Sequence, residues 1–183
     1  VHCDLKVIPC AGYDHRSFYQ LPVKPSPNLP NMRSVYLYPS LCFFEGTVVS
    51  VGRGTDKQFQ VFGAPGLTVG DYFFTPQPNA GSKYPPQQGK KCRGFDLSGL
   101  SLSELQQHGQ LYLGYLLEAY ENYPDKEHFF LPTLYFDKLA GSAQLRKQIT
   151  AGLGEAEIRA SWQPGLDSFK IIRKKYILYE DFE

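Results

Sequence analysis

"SLSELQQHGQLYLGYLLEAYENYP", residues 101–124, is where the sequence changes its period. Leu105, Leu111, Tyr112, Tyr115, Leu116, Ala119 and Tyr120 recur at three- and four-residue steps, the spacing that gathers side chains on one face of a helix. Ser103 followed by Gln106 fits a capping box, with Ser101 and Glu104 as a second candidate. The pattern predicts one amphipathic helix near 103–123, about five turns long, weakened by Gly109 and Gly114 and ended by Pro124. Its Leu/Tyr stripe is expected to pack on a sheet.

Before this stretch the punctuation is that of strands and turns. Residues 4–10 alternate weakly and suggest a strand. "LPVKPSPNLPN", residues 21–31, carries four prolines and reads as an extended, polyproline-like segment. Residues 35–51 read as one or two strands interrupted at Pro39 and at Glu45-Gly46. "GRGTDK" follows as a turn, "QFQVF" alternates until Gly63 and Pro65, 72–75 suggests a short strand, and "CRGFDLS" resumes as another. Between them "PQPNAGSKYPPQQGKK", residues 76–91, has little to bury. A loop of that length in a compact domain is functional or mobile, and it is expected at the surface or at a cleft rim. After residue 124 helical pattern returns at 142–151 behind Ser142, at 154–162 and at 164–174. Strands first and helices later mean an α+β fold, with a mixed or antiparallel sheet from the N-terminal two-thirds packed with C-terminal helices.

At 183 residues the chain can bury a real core. Nineteen Lys and Arg against eighteen Asp and Glu leave neither the basic excess nor the stripe of a nucleic-acid binder. No apolar run approaches the roughly 20 residues of a membrane-spanning helix. Cys3, Cys10, Cys42 and Cys92 match no zinc spacing, and no cofactor or metal is expected. A bridge between Cys3 and Cys10 is disfavoured because an odd separation in a strand puts them on opposite faces, so buried free thiols are expected. The chain opens on Val1 with no signal-like segment, which suggests a piece cut from a longer precursor.

The chemistry gathers in "FFEGTVVSVGRGT", residues 43–55, where Glu45 and Arg53 stand at the two ends of an apolar run, each beside glycine. A phosphate cradle fails: GxGxxG would need glycine at 57, which is lysine, and GxxxxGK[ST] is absent. Two readings stay open. Glu45 and Arg53 pair across a structural hairpin. Or Glu45, beside Phe43 and Phe44, is partly desolvated and raised in pKa, suiting it to proton transfer or to gripping hydroxyls. Most of the thirteen Phe and thirteen Tyr are expected in the core, Trp162 is expected to pack, and Asp137 with Arg146 is expected as a structural ion pair.

The order of several blocks is specific. "SPNLP" at 26–30, "LYPSLCFFEGTVVSVGRGT" at 37–55, "FGAP" at 62–65, "CRGFDL" at 92–97, "FDKLAGSAQLR" at 136–146 and the closing Trp162, Phe169, Arg173, Tyr176 and "ILY" resemble the C-terminal domain of the peptidoglycan exo-β-N-acetylmuramidase family. The resemblance implies an enzyme, periplasmic or secreted in bacteria, that releases N-acetylmuramic acid from the non-reducing ends of peptidoglycan fragments. It also implies a partner, an N-terminal Rossmann-like domain of the same protein. Residues 1–20 would be the join from that domain, 21–183 the C-terminal α+β domain, and the active site would lie in the cleft between the two. In this reading Glu45 is the catalytic candidate, and Asn28, Thr47, Arg53 and Thr55 bind a peptidoglycan-derived saccharide, Arg53 by offering a planar fork to a carboxylate. The alternative is a non-catalytic module that binds wall sugars or packs against another domain.

Overall fold

Asn31 opens the first helix of the computed structural model, which describes residues 2–180. Its side chain accepts from the Ser34 backbone N–H while Ser34 Oγ accepts from the Asn31 N–H, a complete capping box. Helix α1 then runs over Met32–Leu41 and continues as a 3₁₀ turn, Cys42–Gly46. This replaces the strands expected at the start of 35–51. The Val-Tyr-Leu-Tyr run has β propensity, but burying Ser34, Leu37 and Leu41 on one face outweighs it. Pro39 sits inside the helix near its C-terminal end and costs it one hydrogen bond, the one an N–H at 39 would give to Val35 O.

Only residues 47–51 of that stretch are extended, and they do not fold into a hairpin. Ser50 exchanges backbone hydrogen bonds with Gly63 (2.8 and 2.9 Å), and Thr47 bridges to Phe130. The sheet proper has three antiparallel strands in the order β1-β3-β2, with β1 at Val61–Ala64, β2 at Tyr72–Phe74 and β3 at Cys92–Asp96. In β1 the strand runs on through Gly63, because Gly63 lies opposite Gly94 in the ladder, where two missing side chains let the backbones close. Residues 4–10 form no strand.

The long helix expected near 103–123 is two helices, α2 at Leu102–His108 and α3 at Gly114–Glu121. Gly109 takes φ 54 and closes α2 as a left-handed cap. Ser101 and Glu104 form the capping box, not Ser103 and Gln106. Helices α4 (Tyr135–Ala140) and α5 (Gln144–Thr150) follow, the latter behind Ser142, whose Oγ accepts from the Gln144 N–H. Helix α6, Glu155–Arg173, runs unbroken through Pro164, where two helical segments were expected. The α+β class stands.

Two compact units result: residues 21–158, and residues 2–20 with 159–180. The larger unit has an aromatic core. Phe62, fully buried, stacks on Phe44 and on Phe95 at 5.0 Å and meets Tyr115 at 5.4 Å. Phe136 packs on Phe130 at 4.7 Å and on Phe43 at 5.8 Å, and Asp137 beside it pairs with Arg146 through two 2.7 Å bonds, the ion pair read from the sequence. In the smaller unit Tyr179 Oη accepts from the Cys10 N–H, and Phe169, Ile171, Tyr176 and Leu178 are exposed. Trp162 is half-buried under the Arg159 guanidinium. The four cysteines are free; Cys92 is buried and Cys42 half-buried, but Cys3 and Cys10 are exposed rather than buried.

Candidate functional site

Glu45 lies in the 3₁₀ turn, and the position of that turn is fixed by the glycine that ends it. A Cβ on Gly46 would lie 2.4 Å from the Phe136 backbone, so only glycine lets α4 press this closely on the turn. From there the chain runs extended through Val49 and Val51, both buried, to Gly52-Arg53-Gly54. Gly52 and Gly54 take φ 77 and 82, and a Cβ on either would strike Lys57 O or Gln77 O at 2.7 and 2.6 Å. Arg53 is thus held between two positions that only glycine fills, and its side chain returns along the extended segment to Glu45.

There Arg53 Nη1 donates to Glu45 Oε2 at 3.3 Å. The pair is partly shielded, with side-chain exposures of 33% for Arg53 and 21% for Glu45. Arg53 Nε is buried and finds no acceptor among the described residues, so the guanidinium is not fully spent. Burial pushes the Glu45 carboxyl above its ordinary pKa, and Arg53 opposes that shift through its charge and hydrogen bond. Every other described carboxylate with a displaced pKa is held low, Asp137 by Arg146 and Asp125 by His128 among them. Glu45 stands alone as a described carboxyl biased toward its protonated form. Beside it the Cys42 thiol is pushed up to about 11, first by burial and then by the Glu45 charge.

Glu45 and Arg53 line a cavity of about 340 Å³, within the size range of small-ligand pockets. One wall is the extended segment with Thr47, Val48, Val49 and Val51; the opposite wall is the loop bearing Pro86, Gln87, Gln88 and Lys90. That loop is built firmly. Gln87 Nε2 donates to Val48 O at 2.7 Å, Gly89 N donates to Pro76 O at 2.9 Å, and Gln87 holds φ 58, a conformation that a side chain of its size adopts rarely. A hollow of about 550 Å³ in the smaller unit is lined by apolar and aromatic residues with His15 and Arg173 and, among the described residues, by no carboxylate.

The sequence candidates separate here. The structure brings Glu45, Thr47 and Arg53 to one cavity. Thr47, although in the wall, gives its hydroxyl proton to Phe44 O and accepts from Val49 N, so it shapes the turn. Thr55 does the same at the next turn, donating to Gly52 O at 2.7 Å. Neither Thr55 nor Asn28 lines the cavity. Asn28 Nδ2 instead donates to Gly81 O at 2.8 Å, tying the proline-rich segment to the 76–91 loop. Lys90 and Gln87 were missed: the loop was legible as a rim, but nothing in its composition marked which residues face inward. Among the described residues no three His, Cys, Asp or Glu gather to hold a metal, and no helix is long and apolar enough to cross a membrane.

The family described as Exo-beta-N-acetylmuramidase NamZ, C-terminal, matches residues 36–179. The chain is 32% identical over 174 residues to the peptidoglycan beta-N-acetylmuramidase NamZ of Bacillus subtilis (strain 168), an alignment covering 86% of this chain and 40% of that protein. Among solved structures, a DUF1343 family protein from Bacteroides fragilis NCTC 9343 superposes with a TM-score of 0.91 at 49% identity, covering 98% of this chain and 50% of the other. A second DUF1343 family protein of that organism, at 23% identity and a TM-score of 0.58, shares the fold over 86% of this chain and 45% of its own. The chain therefore spans half or less of the length of each of these proteins.

Proposed function

Because this chain belongs to the exo-β-N-acetylmuramidase NamZ family, through its C-terminal domain, we propose that it is one wall of the active-site cleft of a cell-wall glycoside hydrolase. The whole protein releases N-acetylmuramic acid from the non-reducing ends of peptidoglycan fragments and works in the periplasm or outside the bacterial cell. The other wall is an N-terminal Rossmann-like domain, to which residues 1–20 are the join and 21–183 the C-terminal α+β domain. The proportions support this: relatives of this chain are about twice its length. The exposed Phe169, Ile171, Tyr176 and Leu178 provide apolar area for such packing.

One observation carries the proposal: Glu45, half-buried and raised in pKa, is oriented by Arg53 inside a cavity. Glycoside hydrolysis commonly needs one protonated and one ionised carboxyl group, roughly 5–10 Å apart. Glu45 is suited to be the protonated one, giving its proton to the departing glycosidic oxygen. Oε2 is fixed by Arg53, while Oε1 takes no hydrogen bond from the described residues. Among the described residues no second carboxylate lines the cavity, so the ionised partner comes from the N-terminal domain. Asn28, Thr47 and Thr55 hold the turns and loops around the saccharide.

The test is Glu45→Gln in the full-length protein, assayed on a chromogenic N-acetylmuramide. The expected loss in kcat is on the order of 100-fold or more, with the fold intact by circular dichroism. Unchanged turnover would defeat the proton-transfer role. The presence of one carboxylate rather than two in the cavity favours a second reading, a sugar-binding module without catalysis, for which Glu45→Gln would raise KM alone.

A further inference from the structure

We propose that Lys90 is the receptor for a carboxylate carried by the bound sugar, and so sets a preference for an acidic amino sugar over its neutral counterpart. This rests on reading the Glu45 cavity as a saccharide site.

The charges lining the cavity are one anion, Glu45, and two cations, Arg53 and Lys90. Arg53 Nη1 already donates to Glu45, and its Nε is buried. A ligand carboxylate brought to Arg53 would compete for the guanidinium that orients Glu45. Lys90 has neither constraint. It is exposed and forms no ion pair with Glu45 or any other carboxylate among the described residues. Among the described lining residues Lys90 is therefore the cation with no carboxylate partner.

The backbone that carries Lys90 is anchored. Gln87 anchors the loop on Val48 O, and the Lys90 N–H donates to Gln87 O at 3.0 Å, fixing where the Lys90 side chain leaves the backbone. The next residue, Lys91, places its ammonium 4.6 Å from the Phe73 ring centroid and does not line the cavity. Of two adjacent lysines, one is turned to the sheet surface and one to the site. A lysine serves as a mobile point charge, which suits a carboxylate on a rotatable ether arm better than it suits a rigid planar anion. N-acetylmuramic acid is N-acetylglucosamine with a lactyl ether, so the two sugars differ by the group Lys90 would hold.

The experiment is calorimetric titration of the full-length protein with N-acetylmuramic acid and, separately, N-acetylglucosamine, for the wild type, Lys90→Met and Lys90→Arg. Lys90→Met is expected to weaken binding of the acidic sugar about tenfold, the scale of one charge-assisted hydrogen bond, and to leave the neutral sugar unchanged. Lys90→Arg should retain most of the affinity. Equal binding by wild type and Lys90→Met, or an equal loss for both sugars, would overturn the assignment. Hydrolysis of the muramide unaffected by Lys90→Met would refute the role of Lys90 and leave the glycosidase standing. Lys90-dependent binding without any hydrolysis would refute the glycosidase reading and leave Lys90 as the receptor.

Discussion

Replacing Gly46 by alanine probes the joint on which Glu45 rests. The φ of Gly46 lies outside the left-handed region, so conformational freedom is not why glycine is there. Space is. The new Cβ would lie 2.4 Å from Phe136 Cα and N and 2.7 Å from its Cβ, whereas ordinary contact begins at 3.4 Å. The obstructing atoms are mostly backbone, so α4 itself must retreat, by about 1 Å on those distances. Phe136 is fully buried, and its ring contacts with Phe130 at 4.7 Å and Phe43 at 5.8 Å would open with it. Overpacking of this kind costs about 1–3 kcal/mol. For a chain of this size a 2 kcal/mol loss lowers Tm by roughly 4–8 °C. Thermal and urea unfolding of Gly46→Ala measure it, with Gly99→Ala as control: Gly99 is exposed, has open space around its Cβ position and a φ outside the left-handed region, so its change should stay within about 0.5 kcal/mol. A Gly46→Ala protein melting with the wild type would show that α4 does not clamp the turn.

Leu116, fully buried in α3, should cost about 2–5 kcal/mol on conversion to alanine, and half-buried Leu111 clearly less; denaturant midpoints test both. Asp137 is held below its ordinary pKa chiefly by the Arg146 hydrogen bonds, so its contribution is present above the ordinary carboxylate range and lost as pH falls through the depressed value. Asp137→Asn should therefore destabilise by about 1 kcal/mol near neutrality, a partly exposed pair being screened, and the gap to wild type should close in acid. Glu45 has the opposite sign: raised by burial, it subtracts stability as pH climbs from the ordinary carboxylate value through the raised one. Glu45→Gln should flatten that slope, and Arg53→Met, which removes the opposing charge, should push the Glu45 titration higher in a side-chain NMR experiment.

Local chemistry wrote much of this fold into the sequence. The strands at 72–74 and 92–96 were legible because alternation and glycine-proline punctuation act within a few residues, β1 was legible only at Val61 and Phe62 because Gly63 read as a stop, and the three- and four-residue spacing after residue 101 announced helices. The Glu45-Arg53 pair was visible as residue types flanked by glycine. What stayed hidden depended on partners distant in sequence. Val35-Tyr36-Leu37-Tyr38 has strand propensity, and only the core that receives Leu37 and Leu41 makes it helical. Gly109 was tolerable inside a helix by propensity, yet its left-handed φ divides α2 from α3. Asn28 was legible as a polar group in a stiffened segment, but not that its Nδ2 donates to Gly81 O. Lys90 reaches the Glu45 cavity because the side-chain amide of Gln87 bonds to Val48 O, a contact between residues far apart in the chain that no periodicity encodes. Sequence determined which groups were present and which segments repeat; tertiary packing decided which of them meet, because burial and hydrogen bonding are settled between segments and not within them.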